Sequence, residues 1–236
     1  MATLKFFVLS FLVAITFIVL GGCSNEAQDA QQSTEGKSSN TPEESIDGDS
    51  PGLEIERPQQ DPISISFEDL PILQDYLDQE IDPQLEIGRM QTEYLFSHNN
   101  KDYAIIKYSC GSKICDQLFI AHKGGNVESI LVSEGSMLLD YKQNSDFLAL
   151  LFGRNEGSEV LRNKVEVIDL HSLKEILAPN DVAKFNSFDY PISSFKWEGN
   201  SLVLYVADIR DKSYETVKKW YVNNQQPKKT LTWKME

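Results

Sequence analysis

The side chains best suited to acid–base or nucleophilic catalysis are scattered through this sequence of 236 residues. His98, His122 and His171 all fall at predicted turns, which favours solvated loop residues over a general base. No serine lies in a Gly-x-Ser-x-Gly elbow, and the sequence has no phosphate-binding glycine loop and no His-Glu-x-x-His pair. We therefore expect no catalytic residues, no metal site and no cofactor. A hydrolase whose carboxylates lie on separate loops is the open alternative.

Lysines and aromatic residues accumulate near the C-terminus. From Asp211 onward six lysines stand against three acids, in a chain whose net charge is −14. Aromatic rings stack and ammonium groups pair with anions, so one interpretation is a binding surface for an anionic polymer or a sugar. That surface would comprise Lys218, Lys219, Trp220, Tyr221 and Trp233. The other interpretation is an edge strand whose lysines discourage pairing with a second sheet. Nucleic acid is not an expected partner of so acidic a chain.

An apolar run near the N-terminus leads directly to a cysteine. Lys5 supplies a positive charge, residues 6–20 are apolar apart from Ser10 and Thr16, and two glycines precede Cys23. The order of these parts resembles the signal peptide and lipobox of bacterial lipoprotein precursors, with Leu20-Gly21-Gly22-Cys23 as the lipobox. The apolar run is also shorter than the ~20 residues of a normal membrane-spanning helix.

The resemblance implies that a diacylglyceryl group is added to the thiol of Cys23, and that residues 1–22 are then removed. Acyl chains such as palmitate would hold the protein at the membrane, because each buried methylene contributes about 0.8 kcal/mol. The expected location is the extracytoplasmic face of the cell membrane, with the membrane itself as a partner through the lipid anchor.

Residues 24–60 differ sharply in composition from the rest of the chain. They are rich in Ser, Gln, Asn, Glu, Asp, Gly and Pro, and their charge of −7 is half of the chain's total. A segment with so few large apolar side chains does not bury enough surface to offset the entropy of ordering it. We therefore predict that residues 23–60 form the lipidated cysteine and a disordered acidic tether, and that residues 61–236 form a single domain.

The two remaining cysteines are Cys110 and Cys115. An even pair in an exported protein favours a disulfide, here across a short turn between two predicted strands. A redox pair normally has two intervening residues rather than four. A zinc site would need two further ligands, which no nearby spacing supplies.

The domain is predicted to be all-β with one short helix near its start. Ser66 can cap this helix, Pro71 suits its first turn, and Leu70, Leu73 and Leu77 recur at helical spacing. From Leu85 onward, short runs of β-branched and aromatic residues alternate with turn residues, which predicts antiparallel strands. The clearest runs are residues 103–108, 118–121, 147–152, 165–170 and 202–206.

A strand–turn–strand pattern recurs at residues 94–106, 138–150 and 194–205. A second hairpin is predicted after each copy, turning at residues 123–126, 171–172 and 223–227. This spacing resembles the four-stranded blades of β-propellers. Three blades are fewer than known propellers contain, so a meandering β-sandwich or an open barrel is the alternative.

Together these features predict a membrane-anchored lipoprotein on the extracytoplasmic face, without a molecular function that the sequence specifies. We expect a binding or assembly module of the cell envelope, whose partner is an envelope polymer or protein. The alternative is a cell-envelope hydrolase with dispersed carboxylates.

Overall fold

Antiparallel β-strands dominate the computed structural model, which describes residues 52–223 and 225–235. Within this part of the chain the strands form sheets of two, seven and three members, so the all-β prediction is confirmed. The predicted signal peptide, the lipobox with Cys23 and residues 24–51 of the predicted tether lie outside the described residues.

The first sheet lies partly inside the predicted tether. It is a hairpin of β1 (Gly52–Arg57) and β2 (Gln60–Ser66), in which Leu53 pairs with Ile65 and Ile55 with Ile63. All four side chains are buried in one apolar cluster. The tether boundary at residue 60 is therefore wrong, and the fold begins no later than Gly52. Because Leu53 and Ile55 alternate with charged residues, β1 is polar in average composition. Its apolar face is evident only beside a partner strand.

Short helices follow the hairpin. Ser66 accepts a hydrogen bond from the Glu68 N–H at the start of a 3-10 helix (Phe67–Asp69), and Pro71 opens α1 (Pro71–Leu77). The predicted helix is thus confirmed, although Ser66 caps the 3-10 turn rather than the α-helix. A second helix, α2 (Pro83–Arg89), occupies the region where strands were expected from Leu85.

The central sheet is a seven-stranded antiparallel meander in sequence order. Its strands are β3 (Gln91–His98), β4 (Lys101–Tyr108), β5 (Cys115–Lys123), β6 (Asn126–Asn144), β7 (Phe147–Glu156), β8 (Val160–Asp169) and β9 (Lys174–Glu175). The long strand β6 pairs with β5 over its first part and with β7 from Met137 onward. Gly135, at a φ of +49°, lies at the change of partner, where a side chain would strain the backbone.

The third sheet consists of β10 (Ile192–Glu198), β11 (Ser201–Ala207) and β12 (Lys228–Lys234). The short helix α3 (Asn180–Ala183) precedes β10, and α4 (Tyr214–Val222) lies between β11 and β12. The hairpin predicted at residues 223–227 is therefore a helix-to-strand connection. Ser213 caps α4, and Val217 and Trp220 form its buried side.

Three apolar clusters show how these sheets are stacked. One joins β1, β2 and α1 to a face of β4 and β5, and a second joins the other face of β4 and β5 to β7 and β8. A third joins the opposite face of β7 and β8 to β10, β11 and β12. Strands buried on both faces explain the unbroken apolar runs at residues 103–106 and 148–152.

Separate propeller blades are not formed. The hairpins predicted around residues 94–106, 138–150 and 194–205 are present, but β6 fuses the first two units into one sheet. The third unit has only three strands, and no closed barrel or propeller occurs among the described residues. The face-to-face packing of the sheet's two halves is closer to the sandwich alternative.

Candidate functional site

An open groove of about 430 Å³ lies where the first part of β6 faces β8, β9 and the loop after α3. One wall consists of residues 131–134 of β6, and the other contains residues 186–188. Arg154, Lys164, Glu166 and Glu175 contribute the charged part of the lining. The groove therefore combines apolar, amide, hydroxyl and charged groups from five separate segments, which is the mixture found in ligand sites.

Asn186 fixes the loop that forms the second wall. Its side-chain Oδ1 accepts a hydrogen bond from the Val165 N–H at 2.5 Å, and its Nδ2 donates to the Val165 carbonyl at 2.6 Å. The amide thus pairs with both backbone groups of one β8 residue, as a neighbouring strand would. Because Asn186 is buried, these bonds hold the wall rigidly against the sheet.

Arg154 closes one end of the groove. Its Nε donates to the Gly135 carbonyl at 3.0 Å, and its guanidinium also donates to the Glu134 carbonyl. The same guanidinium lies 4.1 Å from the centroid of the Phe188 ring. Arg154 therefore links the bend of β6 to the opposite wall.

Glu166 is the unusual group in the lining, because its side chain is only 4% exposed. Its carboxylate contacts the ammonium group of Lys164, and Glu175 lies within hydrogen-bonding reach of it. Burial raises the pKa of Glu166 to about 8, the hydrogen bond and charge of Glu175 act in the same direction, and Lys164 opposes them. Burial therefore favours the neutral form of the Glu166 side chain.

This carboxyl pair differs from the acid pair of a glycosidase. Retaining enzymes separate the two carboxyl groups by about 5 Å and inverting enzymes by about 6.5 to 9.5 Å, so that a substrate or a water fits between them. Glu175 instead acts on Glu166 as a hydrogen-bonding neighbour whose charge also raises the Glu166 pKa. The arrangement can bind polar groups, but it does not present a separated acid and base.

The binding surface expected from the C-terminal sequence is not formed. Trp220 and Trp233 are 4% and 1% exposed, and Trp220 Nε1 donates to the Pro227 carbonyl at 2.8 Å. Tyr221 donates to the Leu161 carbonyl and Lys218 pairs with Glu159, so both anchor α4 to the body of the domain. Lys219 is exposed but has no aromatic platform beside it in the described part of the chain. The surface is absent because α4 turns Trp220 inward and Trp233 is buried on β12.

The nearest grouping of Ser, His and Asp does not form a catalytic triad. Ser97 Oγ donates directly to Asp102 Oδ1 at 2.5 Å, and Arg57 pairs with the other oxygen of that carboxylate at 3.0 Å. His98 Nε2 instead contacts the side-chain amide of Asn99. No imidazole lies between the hydroxyl and the carboxylate, so Ser97 has no general base.

The predicted disulfide between Cys110 and Cys115 is present, with a Cα–Cα separation of 4.1 Å. It closes the connection between β4 and β5, where the Gly111 N–H also donates to the Ile114 carbonyl at 2.9 Å. The disulfide therefore stabilises a turn that also has a backbone hydrogen bond of its own.

Replacing both Cys110 and Cys115 by serine is expected to lower the free energy of unfolding by about 2 kcal/mol, because it frees a short loop in the unfolded chain. Urea denaturation of the variant and of a Ser112→Ala control, altered inside the same loop, measures the difference. Mature protein purified without reductant should contain no titratable thiol. Two free thiols per chain would contradict the assignment.

Metal-binding groups and membrane-spanning helices also bear on the type of site. Among residues 52–223 and 225–235, no cluster of three or more His, Cys, Asp or Glu side chains is arranged to hold a metal ion. Within the same residues, none of the helices has the length and apolar character needed to cross a membrane.

Comparison with known protein families, curated proteins and solved structures gives no match.

Proposed function

We propose that this chain is a bacterial lipoprotein, anchored through Cys23 to the extracytoplasmic face of the cell membrane, and that its folded domain is a binding module of the cell envelope. The lipobox-like sequence Leu20-Gly21-Gly22-Cys23 supports the anchor. The disulfide between Cys110 and Cys115 supports an oxidising compartment, because such bonds are rare in the cytosol.

The observation that carries the binding role is the groove between β6 and residues 186–188. Its volume lies within the range of ligand sites, and hydrogen bonds of Asn186 and Arg154 to the sheet hold its wall in place. A preformed wall lowers the entropy cost of binding. A rigid groove with mixed polar and apolar lining is suited to recognition.

One observation favours the second candidate, a cell-envelope hydrolase. The raised pKa of Glu166 is a property that catalytic acids often have. Against it, Glu175 influences Glu166 as a hydrogen-bonding neighbour, whereas the acid pair of a glycosidase stands at least about 5 Å apart. The binding role accounts for both the groove and the carboxyl pair, so it is the function that the geometry supports better.

Changing Cys23 to alanine is expected to abolish lipidation and processing, because no other residue supplies the thiol that the lipid requires. The full-length gene, expressed in a bacterium grown with labelled palmitate, should give a labelled membrane protein that is shorter than its precursor. The Cys23→Ala variant should be unlabelled and of precursor length. As a matched control, Ser24→Ala should behave like the unaltered chain. Labelled, processed Cys23→Ala protein in the membrane fraction would refute the anchor.

A further inference from the structure

The first part of β6 has an open edge. Gly124 and Gly125, both at positive φ, form a two-residue turn that closes on the pair Lys123 and Asn126. In such a hairpin the closing pair is hydrogen-bonded, and hydrogen-bonded pairs then alternate along the ladder. Ser129 and Leu131 belong to the non-hydrogen-bonded pairs in between, so their backbone N–H and C=O groups point away from β5.

Nothing in the described part of the chain pairs with these outward backbone groups. Residues 127–131 have β5 as their strand partner, and the second strand partner of β6, β7, begins only at Met137. The free segment therefore offers a short row of donors and acceptors at strand spacing.

Several other sheet edges in the described residues are covered or guarded. Thr92 of β3 donates to the Glu54 carbonyl of β1, and Trp197 of β10 donates to the Lys142 carbonyl in the second part of β6. Strand β12 carries three lysines, and β9 has only two residues. In contrast, residues 127–131 contain a single charged side chain, Glu128, which is paired with Lys101. Neither proline nor lysine, two common protections against strand addition, occurs in residues 127–131.

The free edge leads directly into the groove. Leu131 belongs to both, and its side chain is 41% exposed beside the groove. Arg154 occupies the carbonyls of Glu134 and Gly135, which ends the free edge at the bend. On the far side of the groove, Phe188 offers an aromatic ring.

We propose that an extended peptide segment of a partner protein adds to the edge at Ser129 and Leu131 as a further β-strand and places an apolar side chain in the groove between Leu131 and Phe188. This inference rests on the binding role proposed above and specifies the class of partner. Backbone hydrogen bonds to the strand edge supply affinity in this mode, and the side-chain pocket supplies specificity.

The geometry favours a peptide over a second copy of the chain. Residues 186–188 stand opposite the edge as a wall, so the space beside Leu131 is a slot with two sides. A single extended strand fits such a slot, whereas the sheet and wall of a second domain would clash with residues 186–188.

Strand β6 provides a matched pair of positions for the test. Leu131 and Leu139 lie on the same strand and are 41% and 40% exposed, but only Leu131 lines the groove. The probe is a set of 12-residue peptides selected from a random display library on the full chain, purified in detergent. Fluorescence anisotropy then measures the Kd of each labelled peptide.

We expect Leu131→Lys to raise the Kd at least tenfold and Leu139→Lys to leave it within twofold. N-methylation along the peptide backbone should weaken binding at alternate positions only, because every second N–H faces β6. The methylation scan uses the unaltered chain and so does not depend on the folding of any variant. A change of oligomeric state instead of peptide binding would identify a second copy as the occupant and overturn the proposal.

Other outcomes separate the two proposals. Peptides that ignore Leu131→Lys and show no alternation, or a library that yields no binder, overturn strand addition. These outcomes do not affect the proposed envelope role, which the Cys23→Ala experiment and cross-linking from the groove test separately. Peptides that lose affinity in Leu131→Lys but show no alternation would keep the groove as a binding site and reject only the added strand.

Discussion

Glu166→Gln should make the free energy of unfolding much less dependent on pH between pH 5 and pH 9. The folded-state pKa of Glu166 is raised from 4.5 to about 8, so the protonated form is the one that the fold accommodates. Its stabilising contribution is complete below the unfolded pKa and is lost as the pH rises through about 8. At 1.36 kcal/mol per pKa unit, the full loss is roughly 3 to 5 kcal/mol.

Glutamine preserves the shape of the side chain and keeps a donor for Glu175 and an acceptor for Lys164, but it does not ionise. Urea denaturation at pH 5, 7 and 9 should therefore show a steep fall for the unaltered chain and a shallow one for Glu166→Gln. At pH 9 the variant should be the more stable protein. Glu198→Gln, at an exposed carboxylate paired with Lys196, should follow the unaltered chain. Equal pH dependence in all three proteins would contradict the buried, protonated state of Glu166.

Ile55→Ala should lower the free energy of unfolding by about 2 to 5 kcal/mol, although Ile55 lies in a segment whose composition predicts disorder. The Ile55 side chain is fully buried and packs in the cluster that joins β1 and β2 to α1, β4 and β5. Removing its methyl groups leaves a cavity in this cluster in addition to the lost transfer free energy.

The neighbouring residue supplies the control, because Glu56 lies on the opposite, exposed face of β1. Glu56→Ala should change the unfolding free energy by no more than about 0.5 kcal/mol. Equal, small effects at both positions would show that β1 is not part of the cooperative fold. The tether boundary predicted from the sequence would then be restored.

The sequence predicts the central strands well, because residues buried on both faces of a sheet leave long apolar runs. Residues 103–106 and 148–152 are of this kind. The sequence does not predict β1, because Leu53 and Ile55 stand among charged residues. Their burial becomes evident only when the partner strand β2 is known. Periodicity within one segment does not reveal a partner in another segment.

Helix α4 was missed for a different reason. The Trp and Tyr residues around position 220 suggest a strand by propensity, yet Ser213 is a good N-cap, and Val217, Trp220 and Tyr221 follow at helical spacing. The cap and the spacing together indicate a helix whose aromatic side faces the core. Such a helix leaves no combined lysine and aromatic surface.

The groove leaves little trace in the sequence, because its walls come from strands and a loop that lie far apart along the chain. The one local sign is Glu166 itself, a carboxylate in the apolar run Val165-Glu166-Val167-Ile168. A charged residue in a strand buried on both faces indicates a titratable group with an altered pKa. Its neighbours Glu175 and Asn186 become evident only when the loop has folded back onto β8.

On the proposed function, this chain presents its groove to a partner in the cell envelope. Site-specific photo-cross-linking in intact cells tests it most directly, with the photoreactive residue at the exposed Ser187 on the groove wall or at Leu139 as the control. We expect a light-dependent adduct with an envelope component from position 187, recovered in the membrane fraction, and none from position 139. Equal adducts from both positions, or none from either, would contradict it.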